Sequence, residues 1–210
     1  MKITTPGRIC LFGEHQDYLG LPVIALAISL RSKIKAVRRN DRKIIINMPD
    51  LNQVEEFSLD DLSYTKDRDY FKSAIRVCQK EGLNYKNGFD SIIQSNIPIQ
   101  AGTSSSSSIV VGWIKLISSL ADNPPSWDNQ TIGKLAYKAE VLEFDGPGGM
   151  MDQFSTALGG CIYLSQNPFQ VKKFTPGIGS FVLGNSNESK DTLGILSRCK
   201  ENRFLMMKKL

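Results

Sequence analysis

Ile97-Pro98-Ile99-Gln100-Ala101-Gly102-Thr103, then five serines at 104–108, then Ile109-Val110-Val111-Gly112-Trp113-Ile114, is the stretch on which the fold of this chain turns. By composition a serine run reads as a flexible linker, but a linker is not followed at once by a dense apolar helix. The physical reading is a Gly- and Ser-rich loop feeding the N-terminus of a buried helix. Free backbone N–H groups and the positive end of the dipole can hold an anion such as phosphate there. Gly102 lets the backbone approach an anion closely. The small side chains of Thr103, Ser104, Ser105 and Ser106 leave room and offer hydroxyls. The lysine of a Walker loop is missing, and an ordinary serine N-cap would look the same, so the loop alone leaves both readings open.

Upstream of this stretch, residues 2–12 and 22–30 read as β segments around a polar loop from Gly13 to Gly20. Residues 33–38 and 42–48 alternate as strands do, with Asn40-Asp41 between them, and predict a hairpin. Apolar positions Phe71, Ala74, Ile75, Val77 and Cys78 predict a helix over 68–81, ended by Gly82. A strand near 88–94 leads into the serine loop. Downstream, Pro124-Pro125 separates the apolar helix from another at about 129–144, and Gly146-Pro147-Gly148-Gly149 breaks that one. A short helix through Asp152 to Leu158, strands near 160–165, 170–174 and 180–184, and a helix from about 189 to the end complete the pattern. Strands and helices mix without strict βαβ alternation, which predicts an α+β fold.

The chain has 210 residues, 41% hydrophobic and 22% charged, which excludes collagen-like, mucin-like and wholly disordered classes. Its longest strongly apolar stretch, Ile109 to Leu120, falls short of the ~20 residues of a membrane span. No secretory signal is read at the N-terminus, so a cytoplasmic protein without a membrane partner is expected. Cys10, Cys78, Cys161 and Cys199 lie far apart without a C-x-x-C, as reduced thiols do. His15 is the one histidine, so chemistry must rest on carboxylates, hydroxyls, Arg, Lys and backbone amides. The net charge of +5 is concentrated in Arg31–Lys43 and Arg198–Lys209, and the remainder is slightly acidic. The first cluster reads as the wet face of a sheet edge, so no nucleic-acid partner is expected.

Two further groups could carry chemistry. Glu140 and Asp152 bracket the Gly146–Gly149 turn, and two carboxylates on successive helices can face one pocket, one as a metal ligand and one as a base or charge stabiliser. The same pair would also read as two solvated surface acids. Arg8, Glu14, His15, Asp17 and Tyr18 cluster at the Gly-bounded loop after the first β segment, where short polar side chains can hydrogen-bond a polyhydroxylated ligand. A turn-forming loop would use the same residues.

Order and spacing together change the reading. Pro6-Gly7-Arg8-Ile9-Cys10-Leu11-Phe12-Gly13-Glu14-His15-Gln16-Asp17-Tyr18-Leu19-Gly20 closely resembles the N-terminal signature of galactokinases. Residues 97–106 resemble the phosphate-binding motif of the GHMP kinase superfamily, which includes galacto-, homoserine, mevalonate and phosphomevalonate kinases. Ala139-Glu140 through Gly149-Met150-Met151-Asp152-Gln153-Phe154 looks like the galactokinase segment that bears its active-site Asp, and Asn185-Ser186-Asn187 resembles a later strand. The resemblance implies a ribosomal protein S5 domain 2-like α+β domain over 1–176, with the start of an incomplete second domain over 177–210. It implies an ATP- and Mg²⁺-dependent kinase that phosphorylates a hydroxyl, anomeric in galactokinases, of galactose or a related sugar. In that reading Asp152 is the catalytic base or charge stabiliser and Arg8 its partner. Glu140 and one hydroxyl among Ser104 to Ser106, assigned to Ser105, hold Mg²⁺. Gly102, Thr103, Ser104, Ser105 and Ser106 line the nucleotide's phosphates. Glu14, His15, Asp17, Tyr18 and the Gly149 backbone contact the sugar.

The sequence departs from galactokinases at Gln100 and Thr103 in the phosphate loop, at Gly148, and at Gln16 and Leu19 in the sugar loop. Leu11 to Ala25 also has a mevalonate-kinase flavour, which keeps a uronic acid or a mevalonate-like alcohol as alternative acceptors. A non-catalytic sugar sensor on the same fold is the alternative outside enzymes. The Gly-rich third motif of the family is not met within these residues, so an N-terminal portion of a kinase is expected, with no oligomeric state readable.

Overall fold

The computed structural model describes residues 1–184, together with residues 194, 198, 199 and 206. Seven strands form one mixed sheet: β1 (Lys2–Phe12), β2 (Val23–Arg38), β3 (Lys43–Met48), β4 (Gln53–Ser58), β5 (Phe89–Ser95), β6 (Cys161–Gln166) and β7 (Phe169–Phe174). Its order is β4-β3-β5-β2-β6-β7, with β1 paired along β2. Among the described residues four α-helices complete it: α1 (Tyr70–Lys80), α2 (Ser105–Leu120), α3 (Asn129–Glu140) and α4 (Met151–Leu158).

Alternation along β2 places Ile34 and Ala36 in the core and Lys33, Lys35 and Val37 in solvent, so one face of the sheet is covered. The helix expected after the serine loop is the centre of that cover. Val111, Trp113, Ile114, Leu116 and Ile117 of α2 have no accessible surface, because α2 lies on β1 and β2 and is flanked by α1, α3 and α4. A helix apolar on nearly all sides is stable only in such surroundings. Trp113 donates its Nε1–H to the Phe71 carbonyl at 3.2 Å, which satisfies its one polar atom. Thr5 Oγ1 donates to the Ser108 carbonyl at 2.8 Å, fastening the first turns of α2 to β1.

Several sequence expectations are corrected. Segments 22–30 and 33–38 form one 16-residue strand, β2. The expected hairpin between 33–38 and 42–48 is absent, because β5 lies between β2 and β3, antiparallel to the first and parallel to the second. The basic loop at 39–42 instead wraps the start of β5. Arg42 Nη1 donates to the carbonyls of Tyr85 and Lys86 at 2.9 and 3.0 Å, while Arg39 pairs with Asp41 and Asp90, Arg42 with Asp60 and Lys43 with Glu56. Strand β4 was not foreseen. The helix expected over 129–144 ends at Glu140, and Leu142–Phe144 continues as a 3-10 turn. Residues 180–184 are not a strand. Asn185-Ser186-Asn187 and the helix expected from about 189 lie outside the described residues, apart from the four isolated positions named above.

Candidate active site

The polar loop, the serine loop and the Gly146–Gly149 turn meet at the ends of β1, α2, α3 and α4, around a cleft of about 120 Å³. Arg8, Glu14, His15, Asp17, Tyr18, Ser106, Glu140, Gly149 and Asp152 all line it. The register of β1 on β2 shifts between Pro6 and Arg8, an irregularity of the kind that re-aims a side chain out of the ladder. Arg8 is buried, and its Nε and Nη2 reach the same Asp152 oxygen, Oδ1, at 2.8 and 2.6 Å. Its Nη1 donates to the Gly102 carbonyl and its backbone N–H to the Thr103 carbonyl at 3.1 Å. One residue thus ties the serine loop to the carboxylate at the start of α4. Burial works against the charge of Arg8, but Asp152 and Glu14 outweigh it and keep the guanidinium protonated. Asp152 Oδ2 receives no hydrogen bond from the described residues and the side chain is 30% exposed, so this oxygen is open to the cleft.

Asp17 sits in a 3-10 turn, Asp17–Leu19, and is buried. Its Oδ2 accepts the Met151 N–H at 3.0 Å, and its carbonyl accepts from Gln166 Nε2 at 2.6 Å. Burial pushes its carboxyl up to about 6, with the Met151 N–H holding it back. The polar loop is pressed so closely on the next turn that a Cβ on Gly149 would stand 2.0 Å from Asp17 Oδ2. Glu14 is exposed at the rim, and the His15 and Tyr18 rings lie 6.2 Å apart.

Glu140, at the C-terminal end of α3, is buried, and burial pushes its carboxyl up. Gln153 Nε2 donates to its Oε2 at 2.7 Å, and the hydroxyls of Ser107 and Ser106 lie within hydrogen-bonding reach. The structure therefore brings Ser106 and Ser107 to Glu140 and does not bring Ser105 there. One residue further along a helix is rotated by about 100°, and Ser105 instead lines a separate apolar pocket of about 50 Å³ with Met48, Leu51, Ile97, Ile99 and Ile109. Ser104 precedes the helix with φ 58°, its hydroxyl buried without a partner, and Gln100 and Gly102 also have positive φ. These turns aim the backbone of the serine loop toward the start of α2.

Besides the Gln153 amide N–H that it accepts, the Glu140 carboxylate has two serine hydroxyls beside it, and Gln153 Oε1 is buried and unsatisfied. That donor set fits a hard divalent cation such as Mg²⁺. Among the described residues no three Asp, Glu, His or Cys side chains form a metal cluster.

Sequence reasoning missed Ser107, Gln153, Arg68 and Tyr70, all of which line the cleft. Gln153 sits beside Asp152 and Ser107 within the serine run, so both were near the motifs. Arg68 lies just before α1 and Tyr70 opens it, and neither belongs to a motif.

Comparison with known proteins agrees with this geometry. Residues 69–160 match the family model "GHMP kinases N terminal domain", and residues 2–35 match "Galactokinase galactose-binding signature". Residues 69–160 therefore carry a GHMP kinase N-terminal domain. The Clostridium perfringens (strain SM101 / Type A) galactokinase is 33% identical over 199 residues, which cover 89% of this chain and 50% of that protein. The Methanocaldococcus jannaschii mevalonate kinase is 32% identical over 176 residues, covering 81% of this chain and 55% of that one. The crystal structure of Lactococcus lactis galactokinase complexed with galactose superposes with a TM-score of 0.83 at 26% identity, covering 100% of this chain and 57% of that one. The chain spans about half the length of the curated relatives it matches. Among its described residues, no helix is long and apolar enough to cross a membrane.

Proposed function

We propose that this chain is the nucleotide- and sugar-binding part of a cytoplasmic ATP-dependent sugar kinase. In this reading residues 1–176 are its N-terminal domain and 177–210 begin the next. The reaction transfers the terminal phosphoryl group of Mg-ATP to a hydroxyl, the anomeric one, of galactose or a related sugar. The observation that carries the reading is the Arg8–Asp152 pair, which stands between the serine loop and the polar loop and leaves Asp152 Oδ2 open to the cleft.

The serine loop takes the phosphates through its backbone N–H groups at the start of α2. The mainly apolar pocket beside Ser105 suits a flat nucleobase, since Met48, Leu51, Ile97 and Ile99 give it walls and Asp50 and Ser95 add polar groups to its lining. Glu140, with Ser106 as the nearer hydroxyl in place of Ser105, would hold Mg²⁺, which supplies charge neutralisation at the phosphates. Asp17, Glu14 and His15 accept and donate to the sugar hydroxyls, and the Gly149 backbone closes that side. Asp152 Oδ2 accepts the proton of the attacking hydroxyl as its oxygen bonds to phosphorus. The bond from phosphorus to the bridging oxygen breaks, and ADP leaves with that oxygen. Arg8 holds Asp152 in orientation, and positioning with charge stabilisation supplies most of the acceleration.

A mevalonate-like alcohol is the second reading, favoured by the identity with the Methanocaldococcus jannaschii mevalonate kinase. The test is ADP release with Mg-ATP and galactose, galacturonate, glucuronate, arabinose, N-acetylgalactosamine or mevalonate, on this chain and on any longer polypeptide containing it. Turnover with a sugar supports the proposal, turnover with mevalonate alone supports the second reading, and binding of both ligands without ADP release supports a sensor.

A further inference from the structure

Two Arg or Lys side chains, Arg8 and Arg68, are found among the described residues lining the cleft, against the four carboxylates of Glu14, Asp17, Glu140 and Asp152. A nucleoside triphosphate would bring several more negative charges into it. Arg8 is already committed to Asp152 and to the Gly102 carbonyl. The serine loop contributes no lysine of its own. Arg68 differs from the other cations around it. Lys66 pairs with Glu55, Lys72 pairs with Asp69 at 3.5 Å, and Arg76 stacks over the Tyr64 ring at 4.6 Å. Arg68 pairs with no carboxylate among the described residues. Its side chain lies near the Tyr70 hydroxyl, an acceptor that leaves most of its donors available.

The backbone holds Arg68 in place at a cost. Its φ is 56°, a conformation that a non-glycine residue adopts rarely and that persists only where the surroundings enforce it. Here the enforcement is visible on the C-terminal side. Asp69 is buried, accepts from Thr65 and pairs with Lys72, which itself donates to the Ser63 carbonyl at 2.8 Å. Tyr70 packs edge-on against Phe144, with ring centroids 5.7 Å apart. Arg68 also lines the adjoining groove with Glu140 and Pro147, a groove that Glu14, His15, Asp17 and Tyr18 do not reach. It therefore stands on the side of the cleft occupied by Glu140 and away from the polar loop.

We propose that Arg68 binds the terminal phosphates of the nucleotide, as a second cation beside Arg8. This inference rests on the kinase reading above. A planar guanidinium offers two parallel hydrogen bonds to a phosphate and neutralises charge gathered there at transfer. The experiment is calorimetric binding of Mg-ATP, AMP and galactose to the wild-type chain and to Arg68→Ala and Arg68→Lys, with thermal unfolding run on each. The expected result is that Arg68→Ala weakens Mg-ATP by about tenfold or more. AMP and galactose affinities should stay within about twofold, because AMP lacks the terminal phosphates. Arg68→Lys should recover part of the loss. Unchanged Mg-ATP affinity in Arg68→Ala would overturn the proposal alone, as would equal losses for AMP and Mg-ATP. A loss confined to galactose would also overturn it and move Arg68 to the acceptor. Absence of nucleotide binding by the wild type would overturn the kinase reading and this inference with it.

Discussion

Arg8 and Asp152, 144 positions apart in the chain, are joined through a single carboxylate oxygen, with the second oxygen of Asp152 facing the cleft. That asymmetry separates the two oxygens of one side chain: Oδ1 is fixed by the guanidinium, and Oδ2 receives no hydrogen bond from the described residues. Arg8 is almost fully buried, so its charge depends on this partner. Asp152→Ala should abolish turnover and also cost about 1–3 kcal/mol of stability, less than a fully buried pair because Asp152 is 30% exposed. Urea unfolding beside the rate assay reads both. Arg8→Lys should lower kcat by about 100-fold while leaving the chain folded, because an ammonium cannot grip both Asp152 and the Gly102 carbonyl as the planar fork does.

Gly149→Ala tests the contact between the turn and the polar loop. A Cβ there would overlap the Asp17 carboxylate, so Asp17 must move or the turn must open. Sugar affinity should fall by about tenfold or more and stability by about 1–3 kcal/mol. Nucleotide affinity should be nearly unchanged, since the serine loop is untouched. Calorimetry with each ligand separately checks the split.

On the proposed sugar-kinase reading, Asp17 should make sugar binding depend on pH. Its carboxyl titrates at about 6 in the folded chain, and sugar hydroxyls are accepted best by the ionised form. Sugar KM should therefore rise as pH falls through 6, and Asp17→Asn should flatten that inflexion. The stability effect has the opposite sign. Since burial raises this pKa above its unfolded value of 3.8, the folded state binds the proton more tightly. Stability then falls as pH rises from about 4 to about 6, by up to about 3 kcal/mol for this group. Unfolding curves of the wild type and Asp17→Asn should converge at low pH and separate through that window.

Glu140→Gln should leave the metal-free chain at least as stable, because burial disfavours the ionised carboxylate and a glutamine still accepts from Gln153. Thermal unfolding in EDTA measures this. The same variant should lose the Mg²⁺ dependence of ATP binding. A marked drop in melting temperature without metal would show that Glu140 is held by the fold rather than kept for a cation.

What could be read from the sequence divides along physical lines. Helix α2 was legible because an unbroken apolar run behind a glycine-bearing loop has few other solutions. The positions of Arg8, Glu140 and Asp152 were legible because each belongs to a compact motif. Strand pairing was not: alternation in 33–38 and 42–48 marks two strands but does not say that β5 comes between them. Strand β4, Gln53–Ser58, is an edge strand with two adjacent glutamates, and no motif marks it. The choice of Ser106 over Ser105 depends on helical phase, fixed only when the start of α2 is known. Arg68 could not be found because its role comes from a backbone turn and from Asp69 and Lys72 around it, none of which makes a local pattern.

The most direct measurement is galactose-dependent ADP release from Mg-ATP, comparing the wild type with Asp152→Asn on the longest polypeptide that contains this chain, with both ligands' affinities measured in parallel. The account predicts that the wild type turns over and that Asp152→Asn binds both ligands but releases ADP at least about 1,000-fold more slowly. Equal rates in the two proteins would contradict it.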